Sequence, residues 1–299
     1  MNDPLPTLPP RAPAGHKGTF GRVAVVGGCC AGPVRMIGAP ALAALGALRA
    51  GAGLVRLVAP APILNDAIGL CPSATGLALP TLPDGVIHLP DAVPIFDAAL
   101  HGADAVIIGP GMGEFPAVAA LTLRAIQHTE CPVVIDADAL NALAATPDLF
   151  RDFRARAVLT PHPGEYRRLA TALRIHADPT NTATRPTAAE LLAQRLGCIV
   201  VLKGAGSIVS DGHTTWRCDH ANPCLATAGT GDVLAGVLAG LLAAHGRSGT
   251  PRLFDLVRLA VEAHARAARA WADAHHTESG MVAVELAELI PPALESLRR

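Results

Sequence analysis

Lysine is almost missing from this chain of 299 residues: only Lys17 and Lys203 are present, against 22 arginines. Charge of any kind is scarce at 16%, and hydrophobic residues reach 51%, which excludes the polar, strongly charged composition of disordered chains. The net charge is −1, and no basic run marks a nucleic-acid partner. The arginine clusters at 151–156 and 167–168 are short, mixed with acids, and read as solvated helix faces. CxxC pairs are absent too. The seven cysteines are scattered, odd in number and without a ligand-like histidine pattern, so reduced thiols in a cytoplasm are expected. Cys29-Cys30 reads as packing rather than chemistry.

The N-terminus lacks the apolar segment of a secretory signal and is rich in proline. A flexible tail over 1–14 is expected, followed by one domain over 15–299. The most hydrophobic stretch, 225–244, carries Asp232 and four glycines, so it is not a membrane span.

What is present alternates. Short apolar runs at 22–27, 54–59, 104–109, 132–136, 157–160 and 198–202 read as buried strands. Between them, 40–50, 115–128, 164–173, 186–196, 231–244 and 254–274 read as helices. Residues 207–210 and 214–218 flank Asp211-Gly212-His213, a hairpin signal. Buried strands separated by helices specify an α/β fold with a mainly parallel sheet covered on both faces. Ligands of such sheets collect beyond the carboxyl ends of the strands. Five unusual turns fall there: Gly27-Gly28, Gly109 to Gly113, Asp136-Ala137-Asp138, Thr160 to Glu165, and Lys203-Gly204.

The strongest candidate is Gly229-Thr230-Gly231-Asp232, which opens a long helix. Amides beside a helix N-terminus stabilise negative charge on a transferring phosphoryl group, and Asp232 is placed to take a proton from an attacking hydroxyl. An ordinary N-cap is the plain alternative. Lys203-Gly204 offers one compact cation and a close backbone approach at a strand end, which suits a phosphate; Lys17-Gly18 gives a weaker hint of the same kind. His162 lies between two prolines that fix its backbone, an arrangement suited to ligand contact. Asp136, Asp138 and Asn141 follow a strand and are candidates for Mg²⁺, directly or through water, while Asp138 serves equally as a helix N-cap.

Taken together, these segments resemble the ADP- or ATP-dependent NAD(P)H-hydrate dehydratases of the ribokinase-like superfamily. The resemblance rests on the Gly-Thr-Gly-Asp turn, Lys17 to Gly28, Gly38-Ala39-Pro40, Ala50 to Val55 and Gly109 to Gly113. It continues through Val134 to Asn141, Leu159 to Glu165 and Val201 to Ala205, in the family's order. It implies a three-layer α/β/α ribokinase-like fold and an ADP- or ATP-driven dehydration of hydrated NADH or NADPH, with Mg²⁺. By the resemblance, Lys203, Gly204, Ala205, Gly206, Ser207, Gly229, Thr230 and Gly231 contact the adenine nucleotide. Ala39, Gly111, His162 and Asp232 line the pocket for the hydrated nicotinamide, with Gly113 a candidate beside Gly111. A cytoplasmic homo-oligomer is expected, a tetramer among the options.

The chain departs from the family pattern at Ala228-Gly229, where Gly-Gly is usual, and at Cys224-Leu225, where Gly-Met is usual. The 29–36 loop lacks an aromatic residue, and the N-terminal epimerase domain of some relatives is not expected here. Two rivals remain at this stage. A vitamin or sugar kinase of the same fold would share the turn and release a stable phosphorylated product. A non-catalytic nucleotide binder would have no need of Asp232.

Overall fold

The computed structural model describes residues 4–146, 148–149, 153–246, 249 and 251–298. Its strands are β1 (Arg22–Val26), β2 (Leu54–Pro60), β3 (Thr75–Leu79), β4 (Ala105–Ile108), β5 (Val133–Ile135), β6 (Ala157–Leu159), β7 (Ile199–Leu202), β8 (Ile208–Ser210) and β9 (Thr215–Arg217). They form one sheet in the order β3-β2-β1-β4-β5-β6-β7-β8-β9. Pairings from β3 to β7 are parallel, and β8 and β9 close the edge as the expected antiparallel hairpin.

Helices cover both faces. They are α1 (Gly38–Arg49), α2 (Ala61–Leu70), α3 (Leu89–His101), α4 (Pro116–Gln127), α5 (Asp138–Ala144), α6 (Pro163–Leu173), α7 (Arg185–Leu196), α8 (Thr230–His245), α9 (Leu253–His275) and α10 (Ala283–Glu295). Strand alternation divides the core in two. Val23, Val25 and Ile107 join α1, α8, α9 and α10 on one face. Ala24, Val26, Val106 and Ile108 join α3 to α7 on the other. This is the expected three-layer α/β/α arrangement. No helix of the described residues is long and apolar enough to cross a membrane.

Elements that sequence patterning does not reveal have physical reasons for their silence. Edge strand β3 contains Gly76 and alternates poorly, with only Leu79 buried. Helix α3 carries Pro94 in its interior, and α10 carries Pro291 and Pro292, residues that read as breaks. The segment expected to be a flexible tail is seen, over residues 4–14, lying against the body of the fold. Leu8 is buried and donates its amide to Leu297, and Arg11 caps the Phe20 ring and bonds Gly51. Of the 151–156 arginine cluster, residues 151 and 152 lie outside the described ones.

One packing contact brings two helix starts to the carboxyl end of the sheet. Helices α1 and α8 run parallel, so both first turns lie at the carboxyl end of the sheet. Glycines bring their backbones together: a Cβ on Gly46 would stand 2.5 Å from the Val233 carbonyl oxygen, and one on Gly236 would strike the Ala43 carbonyl. Ala39 and Asp232, 193 positions apart, thereby start neighbouring helices. Gly236→Val should lower unfolding free energy by at least about 1–3 kcal/mol through overpacking. Urea denaturation measures it, and an unchanged midpoint would remove this contact from its role.

Candidate active site

The Gly229 to Asp232 turn ends a short 3-10 turn at Pro223–Leu225 and starts α8. Gly229 sits at φ +90°, where a side chain would be strained and would also meet Leu42 and Ala283. The Thr230 hydroxyl lies 2.8 and 2.9 Å from the Leu225 and Thr227 carbonyls, to which it donates. It therefore ties the turn together, and what the turn offers a ligand is its first-turn backbone amides.

Behind the turn stands a charged cluster. Asp136, at the end of β5, is 2% exposed. Its Oδ1 accepts from Lys203 Nζ at 2.8 Å and from the Thr160 hydroxyl at 2.6 Å. Lys203 Nζ also lies 3.8 Å from Glu165 Oε2. Burial works against the Lys203 charge, but Asp136 and Glu165 outweigh it and hold the ammonium's pKa above its ordinary value. Burial pushes Asp232 up to about 7, helped by Asp136 and Asp138 and opposed by Lys203. Glu165 is likewise pushed to about 7 by burial, with Lys203 opposing and Asp136 adding. Asp138 is raised by burial against the Gly113 amide, which donates to it at 2.7 Å. Ala137, between the two aspartates, has φ +50°, a strained geometry for a side-chain-bearing residue.

A cavity of about 520 Å³ opens beside the cluster. Lys203, Gly204, Ala205 and Ser207 line it on one side, Thr230, Gly231 and Leu234 on another, and Pro223, Leu225, Val261 and His264 on a third. Its wall is mainly apolar with a cation and a helix N-terminus at one end, a shape and polarity suited to a nucleotide. Arg185 builds the Lys203 side. Its guanidinium, 8% exposed as a residue, donates to the Ala205 carbonyl at 2.7 Å and to the Leu202 and Lys203 carbonyls at 3.3 Å each. These bonds turn the loop's carbonyls into the protein.

A family model described as NAD(P)H-hydrate dehydratase matches residues 23–292. The chain belongs to this family. An ADP-dependent (S)-NAD(P)H-hydrate dehydratase of Xanthomonas campestris is 36% identical over 300 residues, covering 99% of this chain and 94% of that one. A bifunctional NAD(P)H-hydrate repair enzyme of Salinibacter ruber is 39% identical over 287 residues, covering 95% of this chain and 50% of that one. The chain thus spans about half the length of the bifunctional relatives it matches. Among solved structures, the ADP/ATP-dependent NAD(P)H-hydrate dehydratase of Bacillus subtilis, co-crystallised with ATP/Mg²⁺, superposes with a TM-score of 0.75 at 27% identity. It covers 98% of this chain and 99% of that one.

In this member of the NAD(P)H-hydrate dehydratase family, the residues expected to act divide into two groups. Lys203, Gly204, Ala205, Ser207, Thr230 and Gly231 share the cavity, and His162 joins them on its wall; Gly206, Gly229 and Asp232 adjoin these residues in the chain but are not part of the lining. Ala39, Gly111 and Gly113 are not part of that lining. Ala39 and Gly111 adjoin each other, since a Cβ on Gly111 would lie 3.3 Å from that of Ala39, and Gly113 reaches Asp138. His162 also has structural work. Its Nδ1 accepts the Gly164 and Glu165 amides at 2.9 and 3.3 Å, while Glu165 accepts the His162 amide at 2.7 Å, a reciprocal cap on α6. Lys17, by contrast, is exposed just before β1, at the opposite end of the sheet, and its phosphate hint is withdrawn. Sequence reasoning assigned no role to Arg185, Glu165 or His264. No motif marks the first and last; the Pro-Gly-Glu sequence after His162 does signal a capping box at Glu165.

Among the described residues, no three His, Cys, Asp or Glu side chains converge as a metal cage. Asp136 and Asp138 as a pair fit the one or two carboxylates that a nucleotide-held Mg²⁺ uses.

Two tests follow from the site. Activity should rise with pH through about 7 as the Asp232 carboxyl loses its proton, and fall below that as it is protonated. Glu165→Gln should leave that limb in place in the kcat/KM profile; its disappearance would make Glu165 the titrating base. His162→Ala should cost about 1 kcal/mol of stability by removing the cap, and His162→Asn should restore most of it. Equal urea midpoints for the two variants would show that the cap contributes nothing.

Proposed function

We propose that this chain is a hydro-lyase that repairs hydrated NADH and NADPH, using ADP, or ATP in its place, to drive the dehydration. The observation that carries the reading is Asp232: a carboxyl raised to about 7, in the first turn of α8, beside the amides of Gly229 to Gly231 and the nucleotide-shaped cavity. A group poised near neutrality is matched to taking a proton from a hydroxyl.

The steps follow from these parts. The cavity holds the nucleotide with its phosphates toward Lys203, Gly204 and Gly231. Ala39 and Gly111, with Gly113 alongside, bound the neighbouring space for the hydrated ring, and His162 stands on the wall between β6 and the nucleotide. Asp232 accepts the proton of the ring hydroxyl as its oxygen attacks the terminal phosphoryl group. The new P–O bond forms while the bond to the rest of the nucleotide breaks, and the turn's amides stabilise the charge in transit. The ring nitrogen's lone pair then expels phosphate, leaving an iminium, and the adjacent ring carbon gives up a proton to water, which forms the ring double bond and regains the dihydronicotinamide. Mg²⁺, where bound, would be held by Asp136 and Asp138 and would neutralise phosphate charge. Lys203 Nζ, 2.8 Å from Asp136 Oδ1, would share that carboxylate with the ion.

The same proposal places the enzyme in the cytoplasm and as a homo-oligomer. All seven cysteines are buried thiols rather than disulfides, which suits a reducing compartment.

The decisive assay mixes hydrated NADH with ADP or ATP and follows recovery of the dihydronicotinamide's near-ultraviolet absorbance. Wild-type protein should restore it, and Asp232→Asn should slow turnover by at least about 100-fold with nucleotide binding largely kept. A phosphorylated vitamin accumulating instead, with no hydrate consumed, would make the chain a kinase of the same fold.

A further inference from the structure

His264, on α9, is a buried imidazole that the mechanism above does not use. Its Nε2 stands 2.9 Å from the Thr230 carbonyl oxygen, inside the Gly229 to Asp232 turn. A carbonyl cannot donate, so Nε2 carries the proton and donates it to the turn. Burial pushes the ring's pKa down to about 4, with the Thr230 bond opposing and Lys203 adding. The ring is therefore neutral where Asp232 titrates, near 7, and its bond to the turn is present on both sides of that titration.

The importance of this bond lies at the far side of the peptide it grips. The Thr230 carbonyl and the Gly231 amide are opposite ends of one trans peptide plane, so holding the oxygen sets where the Gly231 N–H points. That N–H belongs to the first turn of α8 and has no acceptor within the helix. Gly231 also lies at the cationic end of the site, since a Cβ on it would stand 3.6 Å from Lys203 Nζ. The backbone here needs restraint, because Thr230 is flanked by Gly229, at φ +90°, and by Gly231, the residue type with the widest conformational freedom. Thr230 is held at two points. Its hydroxyl donates to the Leu225 and Thr227 carbonyls at 2.8 and 2.9 Å, and its carbonyl accepts from His264. A bond accepted at the carbonyl also polarises the peptide, which strengthens the N–H at its other end as a donor. Resting on the reading of this turn as the phosphoryl-transfer site, we propose that His264 is a positioning residue: through the Thr230 carbonyl it aims the Gly231 amide at the phosphoryl group in transit. No contact between His264 and either substrate is needed for this role.

The test compares two substitutions in steady-state kinetics. His264→Leu fills the space and removes the donor, whereas His264→Gln keeps a neutral N–H on a chain long enough to reach the Thr230 oxygen. His264→Leu should lower kcat by about 10- to 100-fold while KM for hydrate and for nucleotide stays within about threefold. His264→Gln should recover most of that loss. Equal kcat in the two variants would overturn the proposal, as would a leucine variant that loses stability to urea and keeps its kcat. A nucleotide KM that rises as far as kcat falls would also overturn it, by making His264 a ligand contact. A second measurement needs no turnover: calorimetry of ADP binding with Mg²⁺, with and without aluminium fluoride, a stand-in for the transferring phosphoryl group. Wild-type protein should gain at least about 10-fold in affinity from the fluoride complex. His264→Leu should lose most of that gain and keep its affinity for ADP alone. An equal gain in both, or none in the wild type, would overturn the assignment. A wild type that shows the gain but turns over no hydrate would instead sink the dehydratase reading and leave this one standing. Should the leucine variant not fold, His264→Asn, whose shorter amide stops short of the Thr230 oxygen, replaces it in both comparisons.

Discussion

One ammonium holds the site together. Lys203 Nζ sits between Asp136 and Glu165, and Asp138 and Asp232 belong to the same electrostatic neighbourhood. Asp136, Glu165 and Asp232 all feel the Lys203 charge, and Asp136 acts in turn on Asp138 and Asp232. Ionising all four together would be costly in a partly dry pocket, so the charge is divided unevenly. Asp136, hydrogen-bonded by Lys203 and Thr160, has its negative charge compensated directly. Burial raises Asp232 and Glu165 to about 7, with Asp136 adding and Lys203 opposing, and that balance makes Asp232 a usable base.

The scaffold serves this division. Parallel strands place five loops at one edge, and the glycine contact between α1 and α8 brings two helix N-termini to the same edge. The resulting positive helix ends and the Lys203 charge favour anions at one end of the cavity. The apolar wall beyond favours a flat, uncharged base. A phosphate-bearing ligand with an aromatic head is therefore oriented by polarity before any specific hydrogen bond forms.

Much of this was legible in the sequence, for definite reasons. Apolar runs bounded by glycine turns marked every central strand, because strands buried on both faces must be continuously hydrophobic. Edge strand β3 and helices α3 and α10 escaped notice, because half-exposed strands and proline-bearing helices lack that signature. At the site, Gly229 to Asp232 stood out as a glycine turn opening a helix, and Lys203 and the Asp136–Asp138 pair as polar turns at strand ends. Contacts made across long sequence separations did not. Arg185 reaches a loop 18 to 20 positions away, and His264 reaches Thr230 across 34. Neither spacing leaves a pattern. The resemblance assigns His162 and Lys203 to different ligands; their side chains line one cavity, with Glu165 joined to each.

The contrast between Arg185 and Lys203 explains why this chain keeps so few lysines, and why it keeps this one. Arg185 meets three neutral carbonyls of one loop, a task for a planar fork whose donors diverge at fixed angles. Lys203 must sit within 2.8 Å of one carboxylate and 3.8 Å of another, with Gly231 directly behind it. A guanidinium there would push into the Gly231 turn or pair with Asp136 in bidentate fashion and leave Glu165 uncompensated. The point charge is thus required by the spacing of its neighbours rather than by its sign alone. Elsewhere on the surface a cation answers only to sign, and arginine serves.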